Sequence, residues 1–277
     1  SMLRTKINVN LGVSRDCKDY DVEMQKVMAA VNMGAEAIMD LSSHGDTQPF
    51  RRKLTSECPA MIGTVPVYDS VIHYQRDLAT LTAKDFIDVI RLHAEDGVDF
   101  VTLHCGITRK TIDQIKKHKR KMNIVSRGGS LVFAWMSMTG EENPFYEYFD
   151  EILDKDIDVV HLCLPHFLHP VMAIKAMKAG INVLTEKPIA ISLQDADRML
   201  EVQKETGVKL GCIFQTRYTK SVEKLREMIQ RGDFGKILTA RSYLTWNRPL
   251  NYYDSSDWKG TWDKEGGGVL IDQAIHS

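Results

Sequence analysis

A lysine in the second half of the sequence lies in the loop that follows a predicted strand. Lys187 lies between Glu186 and Pro188, directly after an apolar run. Pro188 is a candidate for a cis peptide bond, which would aim the lysine into a cleft. A lysine that is desolvated there would polarise a hydroxyl group or stabilise an alkoxide.

Asp272 and His276 form a second candidate for proton chemistry, because they are four residues apart after a run of three glycines. On a helix this spacing puts both side chains on one face. The pair could then act as an acid–base couple in which the aspartate orients the imidazole. An ordinary contact on a helix surface is the alternative.

Polar side chains of different kinds also follow five successive apolar runs in the first half of the chain. After the last run, residues 126–130 read Ser-Arg-Gly-Gly-Ser. Hydroxyls, a guanidinium fork and closely approachable backbone amides suit a phosphate or a carboxylate. In a parallel βα architecture such strand ends meet at one functional face. The sequence therefore predicts an anion site, with a glycine-rich turn and a surface arginine as the alternative.

The elements that must position these residues are indicated by short apolar runs alternating with amphipathic segments. This pattern predicts an α/β fold of parallel βα units. Strands are expected near residues 6–12, 37–41, 60–68, 100–105, 123–126, 159–165, 182–186 and 210–215. Helices are expected over residues 21–33, 82–96, 109–121, 144–153, 170–179, 192–206 and 221–230. Residues 237–246 break the rhythm and are expected to form an antiparallel strand of another layer.

The composition excludes several classes of protein. The 277 residues are 43% hydrophobic and carry a net charge of -1, which predicts a globular protein and argues against a nucleic-acid partner. No apolar run is long enough to predict a membrane span. Five scattered cysteines without a CxxC pair favour a reducing, cytoplasmic location and argue against a metal site formed by this chain alone.

Motifs in the first part of the chain carry a family resemblance. Residues 3 to about 153 contain KINVNLG, EAIMDLSSHGD, MIGTVPVYDS, GVDFVTLHCGI and IVSRGGSLVFAWM, and they resemble the phosphomethylpyrimidine synthase (ThiC) family of thiamine biosynthesis. The resemblance implies a (βα)8 barrel that uses S-adenosylmethionine and a [4Fe-4S] cluster to rearrange 5-aminoimidazole ribotide. By resemblance, the residues that hold this small phosphorylated substrate are Asn10, Met39, Tyr68, His104, Ser126, Arg127 and Gly128. A packing role for Met39 and a core role for His104 are the alternatives.

The family's later barrel strands and its three-cysteine cluster motif have no counterpart in this sequence. Without the cluster, no electron would reach S-adenosylmethionine. We therefore expect the chain to bind a phosphorylated ribotide weakly and not to turn it over.

Motifs in the second part carry a different resemblance. Residues about 155–277 contain DVVHLCLPHFLHP, AMKAGINVLTEKPIA and DWKGTWDKEGGGVLIDQAIH, and they resemble the Gfo/Idh/MocA family of NAD(P)-dependent sugar and inositol oxidoreductases. The resemblance implies Lys187, Asp272 and His276 as catalytic residues. The positions that it implies beside the nicotinamide are Pro165, His166, His169, Glu186 and Pro188. No GxGxxG occurs in the sequence, so poor NAD(P) affinity is expected.

Together these features predict a chimera-like chain. It would have a partial barrel over residues 1–153, a Rossmann-type half over 154–235 and a truncated α+β segment over 236–277. Five βα units followed by three could close into a hybrid eight-unit barrel, and an open parallel sheet is the alternative. Exposed strand edges would favour self-association. Three functions stay open: a ribotide-binding barrel, an oxidoreductase and a catalytically inert engineered or fused scaffold.

Overall fold

The computed structural model describes residues 7–117, 124–154, 157–253, 256 and 258–276. They form an α/β protein with parallel sheets, as predicted. The chain divides into two compact units. Unit 1 comprises Ser1–Asp113 and Lys121–Ile152, and unit 2 comprises Gln114–Arg120 and Leu153–Ser277. The three-domain division and the eight-unit barrel stay predictions.

Unit 1 contains a four-stranded parallel sheet whose strands are adjacent in chain order, β1-β2-β3-β4. The strands are β1 Asn8–Leu11, β2 Ala37–Asp40, β3 Met61–Thr64 and β4 Phe100–Val101. The helices up to residue 153 are α1 Tyr20–Asn32, α2 Gln48–Glu57, α3 Pro66–Tyr74, α4 Ala83–Glu95, α5 Arg109–Lys117, α6 Arg127–Thr139, α7 Pro144–Glu147 and α8 Phe149–Leu153. Because the strands are parallel and in register, their carboxyl ends lie along one edge of the sheet.

Local sequence signals explain several of these boundaries. Helix α4 begins at a capping box in which Thr82 and Asp85 bond each other's backbone amides. Glycine at 140 ends helix α6 in the left-handed conformation that favours this residue. Beneath the sheet, Phe50 and Leu54 of α2 are fully buried in a cluster with Ile38 of β2.

Unit 2 contains a three-stranded parallel sheet in the order β5-β6-β7. The strands are β5 Val159–Leu162, β6 Asn182–Thr185 and β7 Leu210–Cys212. The helices are α9 His169–Lys178, α10 Leu193–Thr206, α11 Lys220–Arg231, α12 Leu250–Tyr253 and α13 Val269–Asp272. Met177 of α9 and Met199 of α10 have no exposed surface, so these two helices form the packed part of the unit.

Several predicted elements differ in the structure. The predicted strand over 237–246 is wrong: these residues have no regular secondary structure, and nearly all of them are exposed. An alternating pattern becomes a strand only where a neighbouring strand and an apolar surface receive it. The strand predicted over 60–68 ends at Thr64, because Pro66 occupies the first turn of α3.

The fifth predicted strand also differs in the structure. Residue 123 lies outside the described residues, and residues 124–126 form no strand, since Ser126 caps helix α6. The helix predicted over 144–153 is divided into α7 and α8 at Tyr148. The end of the helix predicted over 109–121 also falls outside the described residues.

Within the described ranges, no helix is both long enough and apolar enough to cross a membrane. Self-association through exposed edges stays a prediction.

Candidate functional site

The amino end of α6 carries the anion-binding features of unit 1. Ser126 Oγ accepts a hydrogen bond from the Gly129 amide at 3.1 Å and so caps the helix. Arg127, the first helical residue, is exposed. The free amides and the dipole of a helix start favour a negatively charged ligand. The sequence predicted Arg127 and Gly128 at the end of a strand, and they lie instead in the first turn of α6.

His104 lies directly against this helix start. Its Nε2 is 3.0 Å from Ser126 Oγ. Since that oxygen already accepts from Gly129, its own proton is available to the imidazole. The Nδ1 atom of His104 is buried and has no hydrogen-bond partner in the structure. Burial lowers the pKa of His104, which favours a neutral ring with Nδ1–H available to a ligand.

Position 128 requires a glycine because the His104 imidazole lies against it. A Cβ added to Gly128 would lie 2.2 Å from His104 Cε1. Any larger residue would therefore displace the ring or the helix.

The other predicted ribotide residues lie in strands and a helix of unit 1. The Arg127 guanidinium lies 5.2 Å from the centre of the Tyr68 ring, a cation–π distance. Tyr68 is in α3 and not at a strand end as predicted. Asn10 and Met39 are register partners in β1 and β2. Asn10 also lines a cavity of about 330 Å³.

A buried ionic network lies beside these residues and was not predicted from the sequence. Arg51 of α2 bonds Asp69 at 2.9 Å and Asp96 at 2.7 Å, and all three residues are nearly inaccessible to solvent. Thr47 Oγ1 donates to Asp69 Oδ1. His93 Nε2 lies 3.2 Å from Asp69 Oδ2. The network connects α2, α3 and α4, and therefore fixes the helix that carries Tyr68.

Two carboxyl groups of this region have opposite pKa shifts. Burial alone would raise the pKa of Asp69, but bonds from His93 and Thr47 and the charge of Arg51 lower it to about 2. Burial raises the pKa of Asp40, at the end of β2, to about 6. Asp40 accepts a hydrogen bond from the Ser42 amide at 2.9 Å. Asp69 is therefore held ionised, whereas Asp40 titrates near neutral pH.

The strongest candidate site of unit 2 is an ion pair. Lys187 Nζ donates to Asp272 Oδ1 at 3.0 Å and also to the Asp272 carbonyl oxygen. The Lys187–Pro188 peptide bond is cis, as predicted. Burial alone would raise the pKa of Asp272, but hydrogen bonds from Gln273 and Lys187 lower it. The carboxylate is thus ionised beside an ammonium group that is mostly shielded from solvent.

Asp272 and His276 do not share one α-helix, so the predicted helical spacing is wrong. Asp272 is the last residue of α13, and His276 lies in a 3-10 turn over Ala274–His276. The β-branched residues Val269, Ile271 and Ile275 have low helix propensity, which accounts for the short helix. His276 nevertheless belongs to the same region: burial lowers its pKa, and Lys187 lowers it further.

The predicted nicotinamide-facing histidines are enclosed by protein. His166 Nδ1 donates to the Glu265 carbonyl at 3.0 Å. His169 is completely buried, and its two ring nitrogens lie 2.7 Å from the Pro188 carbonyl and 2.9 Å from the Leu164 carbonyl. These rings join loops that follow β5 and β6. Pro165 and Glu186 are partly exposed in the same loops, and Pro188 is buried.

The described residues do not fit a [4Fe-4S] cluster, because no group of three or more cysteine, histidine or acidic side chains among them could hold a metal. The turn after β5 is occupied by the 3-10 helix His166–Leu168.

Comparison with known proteins agrees with this two-part description. The model of the radical SAM ThiC family matches residues 1–166, and that of the GFO/IDH/MocA C-terminal domain matches residues 222–277. Since the first match covers more than half of the chain, the chain belongs to the radical SAM ThiC family. Its second part is similar to Gfo/Idh/MocA oxidoreductases.

Individual relatives show how much of each protein is shared. Phosphomethylpyrimidine synthase of Alkaliphilus oremlandii is 59% identical over 154 residues, which are 56% of this chain and 35% of the relative. The Clostridium tetani enzyme is 43% identical over 223 residues, covering 73% of this chain and 49% of that protein. The chain thus spans about a third to a half of the length of these relatives. A solved WlbA dehydrogenase from Bordetella pertussis, in complex with NADH and UDP-GlcNAcA, is 31% identical over 60% of this chain and 52% of its own, with a TM-score of 0.45.

Proposed function

We propose that unit 1 binds a phosphorylated imidazole ribonucleotide at the amino end of α6. The observation that carries the proposal is the capped helix start, where the buried Nδ1 of His104 has no partner in the structure. The phosphate would lie against the free amides and Arg127, because both provide donors for an anion. His104 Nδ1–H would donate to a neutral acceptor of the ligand.

The relatives' name supports the substrate class, since phosphomethylpyrimidine synthases belong to the same family. Asn10 and Met39, one register pair on β1 and β2, would contact the part of the ligand that extends along the sheet edge. The proposal is for binding without turnover, because the described residues bring together no cluster ligands. We also propose that the β1–β4 sheet is an arc of the family's (βα)8 barrel, which its parallel strands in chain order support.

Calorimetric titration with 5-aminoimidazole ribotide tests the binding proposal. The riboside, which lacks the phosphate, should bind at least tenfold more weakly, since a charge-assisted hydrogen bond contributes about 1.5–3 kcal/mol. Arg127→Gln should cause a similar loss for the ribotide and little change for the riboside. Arg91→Gln, at the exposed pair with Asp88, is the matched control. Equal affinities for ribotide and riboside would contradict the proposal.

A second candidate function rests on the ion pair of unit 2. We propose that Lys187 and Asp272 form a centre that polarises a hydroxyl or carbonyl group of a polar substrate, as in an oxidoreductase. Lys187 would donate to the substrate oxygen, and Asp272 would hold the ammonium group in place. His276 would complete the centre as a proton acceptor.

Fluorescence titration with NADH and NADPH tests this second candidate. Weak binding that Lys187→Met abolishes and Lys209→Met leaves unchanged would support it. Dissociation constants that are the same for wild type and Lys187→Met would count against a role for the ion pair in binding the dinucleotide.

A further inference from the structure

A second reactive group of side chains lies on unit 1, around the cavity that Asn10 lines. Lys26 Nζ is 3.5 Å from Cys17 Sγ and 2.5 Å from Glu23 Oε1. The cavity is also lined by Gly12, Ser14, Leu11 and Leu41, and its volume of about 330 Å³ admits a small oxidant. A thiol, an amine and a carboxyl group therefore meet at an accessible surface.

The three side chains differ in mobility and burial. Glu23 is fixed, since its side chain is only 3% exposed, whereas the Lys26 side chain is 48% exposed. Cys17 is partly exposed, and its position is set by a turn in which its amide donates to Ser14 Oγ at 3.2 Å. The lysine is thus the flexible partner, and it can approach a sulfur that the turn holds in place.

We propose that Cys17 and Lys26 form an oxidation-dependent covalent sulfur–nitrogen link, with a peroxide as the oxidant. In the first step the Cys17 thiolate attacks one peroxide oxygen, the O–O bond breaks and water leaves after protonation, which gives a sulfenic acid. In the second step the Lys26 amine attacks the sulfenic sulfur. An S–N bond forms, the S–O bond breaks and a second water leaves.

Glu23 positions Lys26 for the second step, and hydroxide in solution takes the proton that Lys26 loses. Lys26 must lose a proton before it attacks, and the Glu23 carboxylate already holds that ammonium group at 2.5 Å. The two steps together remove two hydrogens from the protein and reduce one peroxide molecule to two waters. A thiol reductant would reverse the link by attacking the sulfur.

The proposed link differs from general cysteine oxidation because it needs an amine next to the sulfur. Cys163 is more exposed than Cys17, but the side chain beside its sulfur is the His161 imidazole, with Nε2 at 3.4 Å. Cys163 is therefore an internal control that meets the same oxidant without forming this product.

Mass spectrometry of the full chain after hydrogen peroxide treatment tests the proposal. The link lowers the mass by about 2 Da for the two lost hydrogens. Trypsin cannot cleave after a modified Lys26, so peptide 16–18 should appear joined to peptide 19–51. Dithiothreitol should restore the separate peptides. The yield should increase from pH 7 to pH 9, because Glu23 raises the pKa of Lys26 and more amine forms at the higher pH.

Two variants sharpen the test. Cys17→Ser and Lys26→Arg should both abolish the joined peptide, since neither hydroxyl nor guanidinium condenses in this way. Lys53→Arg is the matched control, because Lys53 bonds Glu57 in a similar surface pair. Stable sulfinic acid at Cys17 together with normal cleavage after Lys26 at pH 9 would overturn the proposal, as would a joined peptide in the Lys26→Arg variant.

Discussion

The two candidate sites depend on different kinds of support. In unit 1, the residues beside Tyr68 belong to an ionic network whose members are almost completely buried and bond several partners each. In unit 2, Lys187 and Asp272 form a partly exposed pair, and residues 233–243 of the same unit are all exposed. The comparison indicates that buried side chains that bond the reactive residues fix their positions. The presence of the reactive residues alone does not.

Removal of the Arg51 charge should give the largest difference in stability between variants of the two units. Arg51→Met leaves Asp69 and Asp96 buried without their partner, so the free energy of unfolding should fall by about 3–5 kcal/mol. Arg231→Met, at an exposed pair with Asp233 in unit 2, should change it by less than about 1 kcal/mol. Urea unfolding curves measure both. Similarly small losses of stability in the two variants would contradict the difference in support between the two units.

Core truncation should give the next largest difference. Leu54→Ala in unit 1 creates a cavity in a fully buried cluster and should cost about 2–5 kcal/mol. Leu238→Ala in unit 2 truncates a side chain that is 84% exposed, so the cost should be within about 0.5 kcal/mol. Thermal and urea unfolding of both variants provide the measurement. A large loss for Leu238→Ala would show that another surface covers this segment in solution.

Asp40 should give unit 1 a pH dependence of a defined sign. Its pKa rises from the ordinary 3.8 to about 6 on folding, so the folded state favours the protonated form. Stability should therefore decrease as the pH rises from about 4 to about 6, by up to about 3 kcal/mol. Asp40→Asn should remove this decrease. An unchanged profile in that variant would assign the titration to another group.

The smallest effect compares the same helix cap in the two units. Ser126→Ala and Ser192→Ala each remove a side-chain cap and should cost about 1 kcal/mol. Ser126→Ala should cost slightly more, since it also removes the contact with His104. Urea unfolding curves of the two variants measure this difference in stability, provided that the dependence of the free energy of unfolding on urea concentration is the same in both. A clearly larger cost for Ser192→Ala would reverse the comparison.

Local signals in the sequence predicted most of the regular elements. The capping box at Thr82 and the apolar runs at β2 and β6 specify structure within a few residues, and all three elements were predicted. The segment 237–246 could not be predicted in this way, because its alternation requires a partner surface that lies elsewhere in the fold. The sequence likewise did not predict that α13 ends at Asp272, before it reaches His276.

The site residues show the same limit. The ends of β1 and β2 and the Ser-Arg-Gly-Gly-Ser motif predicted polar groups at one edge; in the structure Asn10 and Met39 are register partners in β1 and β2, and the motif begins helix α6. Arg51, Asp69 and Asp96 were missed, because their partners are 18 and 45 residues apart in sequence. No spacing rule connects such residues. Only the tertiary fold brings Arg51 of α2 to the two aspartates.

The exposed segment of unit 2 also determines where a protease would cut first. Lys236 and Arg241 lie in backbone without helix or strand, whereas Arg51 is a buried residue of α2. Trypsin acts on chain that can adopt an extended conformation in its cleft, so cleavage there needs no prior unfolding. Limited digestion should therefore release the end of the chain long before it reaches the ionic network.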